Sequence, residues 1–159
     1  MSLLDKEPVK RVGKFLKGFD RSLEVIILKD SARTAQDAAK ALDCNVGAIV
    51  KSLLFRTGDD FILCLVAGDK RCSLNKLKKL KDKKDILMAS PEEVKTQTGY
   101  TIGGVSPIGH LNKIEIIIDK SLERFNELFA AAGHPNCVFK TNYNDIQKIT
   151  NGKVEDIIE

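Results

Sequence analysis

The chain has 159 residues, 43% of them hydrophobic and 30% charged, with a formal net charge of +4. That length suits one domain with a sizeable core, and no apolar run approaches the ~18 residues of a membrane span. Four cysteines (Cys44, Cys64, Cys72, Cys137) lack CxxC or Cys/His ligand spacing, and the N-terminus carries acids where a secretory leader would be apolar. The expected setting is a reducing cytoplasm, with no metal or other cofactor and no membrane.

In chain order, Val9, Val12, Phe15, Leu16 and Phe19 recur at helical spacing and predict an amphipathic helix over 8–19. Residues 1–21 are read as an N-terminal helical extension of a single domain spanning 1–159. "SLEVIILK" (22–29) reads as a strand, and Thr34 followed by Asp37 opens a helix over 35–42. "AIVKSLLFR" and "FILCLVAG", separated by "TGDD", predict a hairpin. Ser73 caps a short basic helix over 74–80. In "SPEEVKTQTG", Ser90 is a cap, Pro91 the first helical residue, Glu93 the partner of the box and Gly99 the stop. "KIEIIID" (113–119) reads as a strand, "SLERF" as a helical turn, and "LFAAAG" and "CVFK" as short strands. Thr141 begins a last helix, "NYNDIQKIT", before a polar end at Asn151 and Gly152. Strands and helices mix without a regular βαβ rhythm. The predicted fold is therefore α+β: one curved, mixed, mainly antiparallel sheet surrounded by helices.

Charge is unevenly spread. Lys70 to Lys84 holds eight basic residues and one acid, a local charge of +7, whereas the rest has 18 basic against 21 acidic residues. Such a stripe fits a polyanion partner, and it equally fits a solvated lysine face. Strand alternation puts Lys51 on one face with Ile49, Leu53 and Phe55. An unpaired ammonium buried there costs several kcal/mol or more, roughly, unless acceptors or an anion meet it; a gatekeeper lysine pointing to water is the other reading. "GGVSPIGH" (103–110) can present successive N–H groups to an anion or a developing oxyanion, or simply turn the chain. It matches neither a dinucleotide fingerprint nor a phosphate loop. "AAAGHPN" (130–136) combines small residues with the second histidine. No Ser/His/Asp arrangement or carboxylate pair stands out, and Ser106 precedes a proline and does not open a helix. The pattern favours positioning and electrostatics over a protein nucleophile.

The ordered series "TAQDAAKAL", "AIVKSLLF", "LVAGDKR", "NKLKKL", "EEVKTQTGYTIGGVSPIGH", "AAAGHPNCVF" and "ITNGKVEDI" resembles the YbaK/EbsC family. These are freestanding relatives of the editing domain inserted in bacterial prolyl-tRNA synthetases. The resemblance implies an aminoacyl-tRNA deacylase acting in trans. Its substrate would be the ester of a small amino acid (alanine, cysteine or 2-aminobutyrate) on tRNA, most often proline tRNA. Prolyl-tRNA synthetase is a possible partner, and neither DNA nor a membrane is. It implies Lys51 as the signature lysine that meets the terminal nucleotide. Gly103, Gly104 and Ser106 join it as catalytic positions in the loop behind the scissile ester, with Ser106 a positioning group. Ser52, Pro107, Gly109, His110, Gly133 and His134 are implied to line the substrate pocket, and Lys70, Arg71, Lys76, Lys78 and Lys79 to attract tRNA. The competing expectation is a non-catalytic tRNA-binding or synthetase-associated module that keeps the fold.

Overall fold

Helix α1 (Glu7–Phe19) is the first long element of the computed structural model, which describes residues 2–159. Pro8 stands in its first turn, where a missing N–H is harmless. Val9, Val12 and Leu16 recur on its inner face and are buried in the main core with Leu54, Leu65, Tyr100, Leu128 and Phe139. The segment expected as an extension is thus packed into the domain.

The chain then forms β1 (Ile26–Ile27) and α2 (Ala35–Leu42), whose Thr34 cap accepts from the Asp37 N–H. β2 (Ile49–Thr57) and β3 (Asp60–Ala67) make the predicted hairpin, paired from Val50↔Ala67 to Thr57↔Asp60. Ser73 caps α3 (Leu74–Lys81) as expected, and β4 (Ile86–Met88) follows. α4 (Pro91–Thr98) has the full box between Ser90 and Glu93 and ends at Gly99, whose φ of 81° is the left-handed conformation that glycine accepts. β5 (Glu115–Asp119), β6 (Leu128–Ala131), β7 (Cys137–Thr141), α5 (Tyr143–Thr150) and β8 (Lys153–Glu155) complete the fold.

The strands form one sheet in the order β1-β7-β6-β2-β3-β5-β8, with β4 paired to β2 outside that path. β1–β7, β2–β3, β2–β4 and β6–β7 are antiparallel; β2–β6, β3–β5 and β5–β8 are parallel. This is the expected single α+β domain with a mixed, mainly antiparallel sheet. Alternation along β2 and β3 sends Leu54 and Leu65 to the main core and Phe55, Cys64 and Val66 to a second cluster under α3 with Leu77 and Ile157.

Several boundaries differ from the sequence reading. The strand expected over 22–29 pairs only at Ile26 and Ile27, because an Asp20–Ser22 turn precedes it and Leu28 and Ala32 already bond to the Asn136 and Pro135 carbonyls of the next loop. The strand expected from 113 starts at Glu115. Asn142 caps the last helix in place of Thr141, which closes β7 opposite Leu128. β4 and β8, three residues each, are too short to carry a period-two pattern of their own.

Leu16 is fully buried, so Leu16→Ala should lower stability by about 2–5 kcal/mol, read as a shifted urea midpoint with an unchanged slope.

Candidate functional site

β2 shares its outer edge between two short strands. β6 covers it at Ile49 and Val50, and β4 covers it from Phe55 to Thr57. On that edge Lys51, Ser52 and Leu53 have no strand beside them. A cavity of about 420 Å³ occupies this gap, walled by Thr34 and Ala38 of the α2 region, Ala89, Gly103, Val105 and Ala130.

Lys51 lines this cavity and is half-buried. Its Nζ donates to the Lys70 carbonyl at the turn after β3. Desolvation holds its ammonium below the usual lysine range, and the nearby Arg71 charge adds to that while Asp69 opposes it. Its charge is met by a neutral carbonyl, since Asp69 is already paired with Arg124 at 2.7 Å. Ser52 also lines the cavity, and its Oγ is buried without a hydrogen-bond partner among the described residues.

The glycine loop contributes Gly103 and Val105 to the wall. Gly103 has a φ of 95°, and a Cβ there would come within 3.0 Å of Arg33 Cγ. Gly104 is a joint. Its N–H donates to Thr101, its carbonyl accepts from Gly133, and a Cβ would lie 2.8 Å from the His134 nitrogen. The two glycine-containing loops therefore touch backbone to backbone.

The rest of the loop is held from behind. Tyr100 donates to the Ile108 carbonyl at 2.7 Å, and Arg11 Nε to the Gly109 carbonyl at 2.7 Å. The Arg11 guanidinium lies over the Tyr100 ring, 4.7 Å from its centroid. Ser106 is fully buried, its Oγ accepting from the Ile108 N–H. His110 Nε2 donates to the Ser106 carbonyl at 2.7 Å, and burial pushes its pKa down. In the neighbouring loop His134 Nδ1 accepts from the Asn136 N–H.

Of the residues expected in the site, Lys51, Ser52 and Gly103 line the cavity. Gly104, Ser106, Pro107, Gly109, His110, Gly133 and His134 are not among its lining residues, because the loop turns away behind Val105 and is bonded to Tyr100 and Arg11. In the basic segment Lys76 pairs with Asp156 at 3.0 Å, while Lys70 has its carbonyl on Lys51. Arg71, Lys78 and Lys79 have no ion pair among the described residues. Several cavity residues carried no sequence signal. Arg33 is an ordinary surface type before a cap, and Met88 and Ile102, 54% and 57% exposed at the rim, belong to a strand and a turn without pattern. Arg11 and Tyr100 were visible only as helix and loop residues. Among the described residues, no group of three or more His, Cys, Asp or Glu is placed to hold a metal ion.

A mixed sheet with a gap beside its central strand, walled in part by a glycine loop, defines an α+β domain with a cavity of small-ligand size. The sequence profile of the aminoacyl-tRNA editing domain matches residues 29–149, and the chain belongs to that family. The uncharacterized protein YwhH of Bacillus subtilis (strain 168) is 33% identical over 147 residues, covering 92% of this chain and 93% of that one. The proline–tRNA ligase of Thermosipho melanesiensis is 28% identical over 127 residues, which are 80% of this chain and 21% of that enzyme. The chain thus spans about a fifth of that ligase. A crystal structure of a proposed trans-editing enzyme for prolyl tRNA synthetase superposes with a TM-score of 0.90 at 35% identity, covering 97% of this chain and 98% of that one.

Two outcomes follow from this geometry. Gly104→Ala should separate the loops and lower both stability and ligand binding, since the obstruction is backbone; calorimetry and binding assays check this. The lowered His110 pKa means that the unfolded chain binds more protons between the folded value and the ordinary 6.5. Stability should therefore fall as pH drops below about 6.5, and His110→Gln should flatten that slope in urea titrations.

Proposed function

We propose that this chain hydrolyses the ester of a mischarged small amino acid on tRNA, acting in trans. The observation that carries the reading is a half-buried lysine beside a glycine-loop-walled cavity, in a chain of the editing family. Lys51 meets the terminal nucleotide or its phosphate, exchanging the Lys70 carbonyl for an anion. Water attacks the ester carbonyl, and negative charge develops on its oxygen. The Gly103 and Val105 N–H groups make no hydrogen bond with another described residue, and they are the donors available to that oxygen. Gly104, Ser106, Pro107, Gly109, His110, Gly133 and His134 keep them in place. The bond to the ribose oxygen then breaks. The proton given up by the attacking water passes to the ribose oxygen as it leaves, and the products are free amino acid and uncharged tRNA.

The acceptor is proline tRNA on this reading, and prolyl-tRNA synthetase is the natural partner. Alanine, cysteine and 2-aminobutyrate fit a cavity walled by Ala89, Val105 and Ala130. Size alone separates neighbours differing by one methylene by only about 10–200-fold. Arg71, Lys78 and Lys79 supply sequence-independent attraction that weakens with salt.

Deacylation of Ala-, Cys-, 2-aminobutyryl-, Ser- and Pro-charged proline tRNA tests the reading. Turnover of one or more small residues with Pro spared is expected. Tight, salt-sensitive tRNA binding with no turnover of any ester would instead identify a non-catalytic tRNA-binding module. Lys51→Met should lose most deacylation, by about 10²-fold or more, while the melting temperature holds or rises, because a desolvated charge is removed.

A further inference from the structure

The gap in β2 exposes a particular set of hydrogen-bonding groups. Gly68 donates to the Ile49 carbonyl on the β3 side, whereas Ala89 donates to the Leu54 carbonyl on the outer side. Peptide groups alternate in direction along a strand, so Ile49, Lys51, Leu53 and Phe55 face β3, and Val50, Ser52, Leu54 and Arg56 face outward. Val50 is taken by β6 and Arg56 by β4. By this alternation the Ser52 N–H and C=O turn outward into the cavity, where the β6 register ends at Val50, the β4 register begins at Phe55 and no loop bond reaches Ser52. Its side chain lies on the glycine-loop face, where Oγ is buried and unpartnered. One residue thus leaves a peptide N–H and C=O open at the cavity and, buried beside them, a hydroxyl with no partner, and each costs free energy until a ligand meets it.

We propose that this gap is a one-residue strand-addition site, in which the esterified amino acid docks opposite Ser52 as a residue of an added strand. Its α-amine donates to the Ser52 carbonyl and, once the side chain turns toward the cavity, to Oγ; its ester carbonyl accepts from the Ser52 N–H in the ground state, and the Gly103 and Val105 N–H groups meet the charge that develops on the same oxygen. An aminoacyl group carries the same amine and carbonyl spacing that strand addition uses in peptides. Opposed residues point their side chains to the same face, so the amino acid's side chain falls toward Leu54, Ala89 and Ala130. The charged side chains lining the cavity are Lys51 and Arg33, with no carboxylate among them. That field favours the uncharged amine, whose two N–H bonds match the two acceptors. A proline amine without charge has one N–H and leaves one acceptor empty, which penalises it independently of size.

This inference rests on the deacylase reading, and its test is kept separate from turnover. Three adenosine analogues joined by a non-hydrolysable amide are titrated into the intact chain: alanyl, N-methylalanyl, and propionyl, which lacks the amine. The alanyl analogue should bind roughly tenfold tighter than propionyl, with N-methylalanyl between them. The Ser52 amide signal in a proton–nitrogen spectrum should move downfield with alanyl. Ser52→Ala should weaken alanyl binding a few-fold and leave propionyl unchanged, a ligand-selective effect that a merely structural serine would not produce. Equal affinities for alanyl and propionyl, an unmoved Ser52 amide, or no binding of any analogue would overturn the proposal. Amine-dependent binding with no hydrolysis of charged tRNA would preserve it while refuting the deacylase reading.

Discussion

β2 has three strand neighbours and only two edges. β3 takes the whole of one edge, and β6 and β4 divide the other, running in opposite directions relative to it. β6 reaches only to Val50 and β4 only to Phe55, so a space remains between their ends. A sheet interior normally leaves no backbone group unpaired. Here that rule is relaxed at Ser52, while Val50 and Leu54 on either side remain buried. The cavity is therefore a consequence of topology more than of any missing side chain.

The walls of that space depend on two backbones meeting. Gly104 and Gly133 stand close enough that a methyl group on Gly104 would collide with the facing main chain. The contact is locked by a Gly133-to-Gly104 hydrogen bond and backed by Tyr100 and Arg11 on the carbonyls of residues 108 and 109. Because Arg11 comes from α1, the first helix is tied to the site although it lies outside the residues matched by the editing-domain profile. The polar groups of the "GGVSPIGH" loop are largely spent on this internal scaffold, which leaves Gly103 and Val105 as its face to the cavity.

Local chemistry was legible in the sequence wherever it acts over three or four residues. The caps at Thr34, Ser73 and Ser90 fall where their spacing put them, and the hairpin closes at "TGDD". The lysine on an apolar strand face and the glycine loop were legible as anomalies, and the family resemblance placed them in one site. What could not be read is whatever depends on which strands meet. β4 carries too few residues for a pattern, yet with β6 it creates the gap. Ser52 looks unremarkable in "IVKSLLF", and its open peptide groups exist only because its neighbours' are taken. Arg11 likewise gains its role through contacts 87 and 98 residues away.

The two charged features of the molecule work over different distances. Exposed lysines on and after α3 act through a field that salt screens within about 10 Å, and such a field carries no information about what is esterified to a nucleic acid. Lys51 acts at contact range, where desolvation has already weakened its hold on its proton and a neutral carbonyl is its resting partner. A half-buried cation held this way is poised to prefer an anion when one arrives, because the Coulombic gain grows as the local dielectric falls. On the proposed reading, discrimination among amino acids has to come from groups that are neutral and fixed in direction. In this fold those are the peptide groups along the open edge of β2 and the N–H groups of the glycine loop facing it.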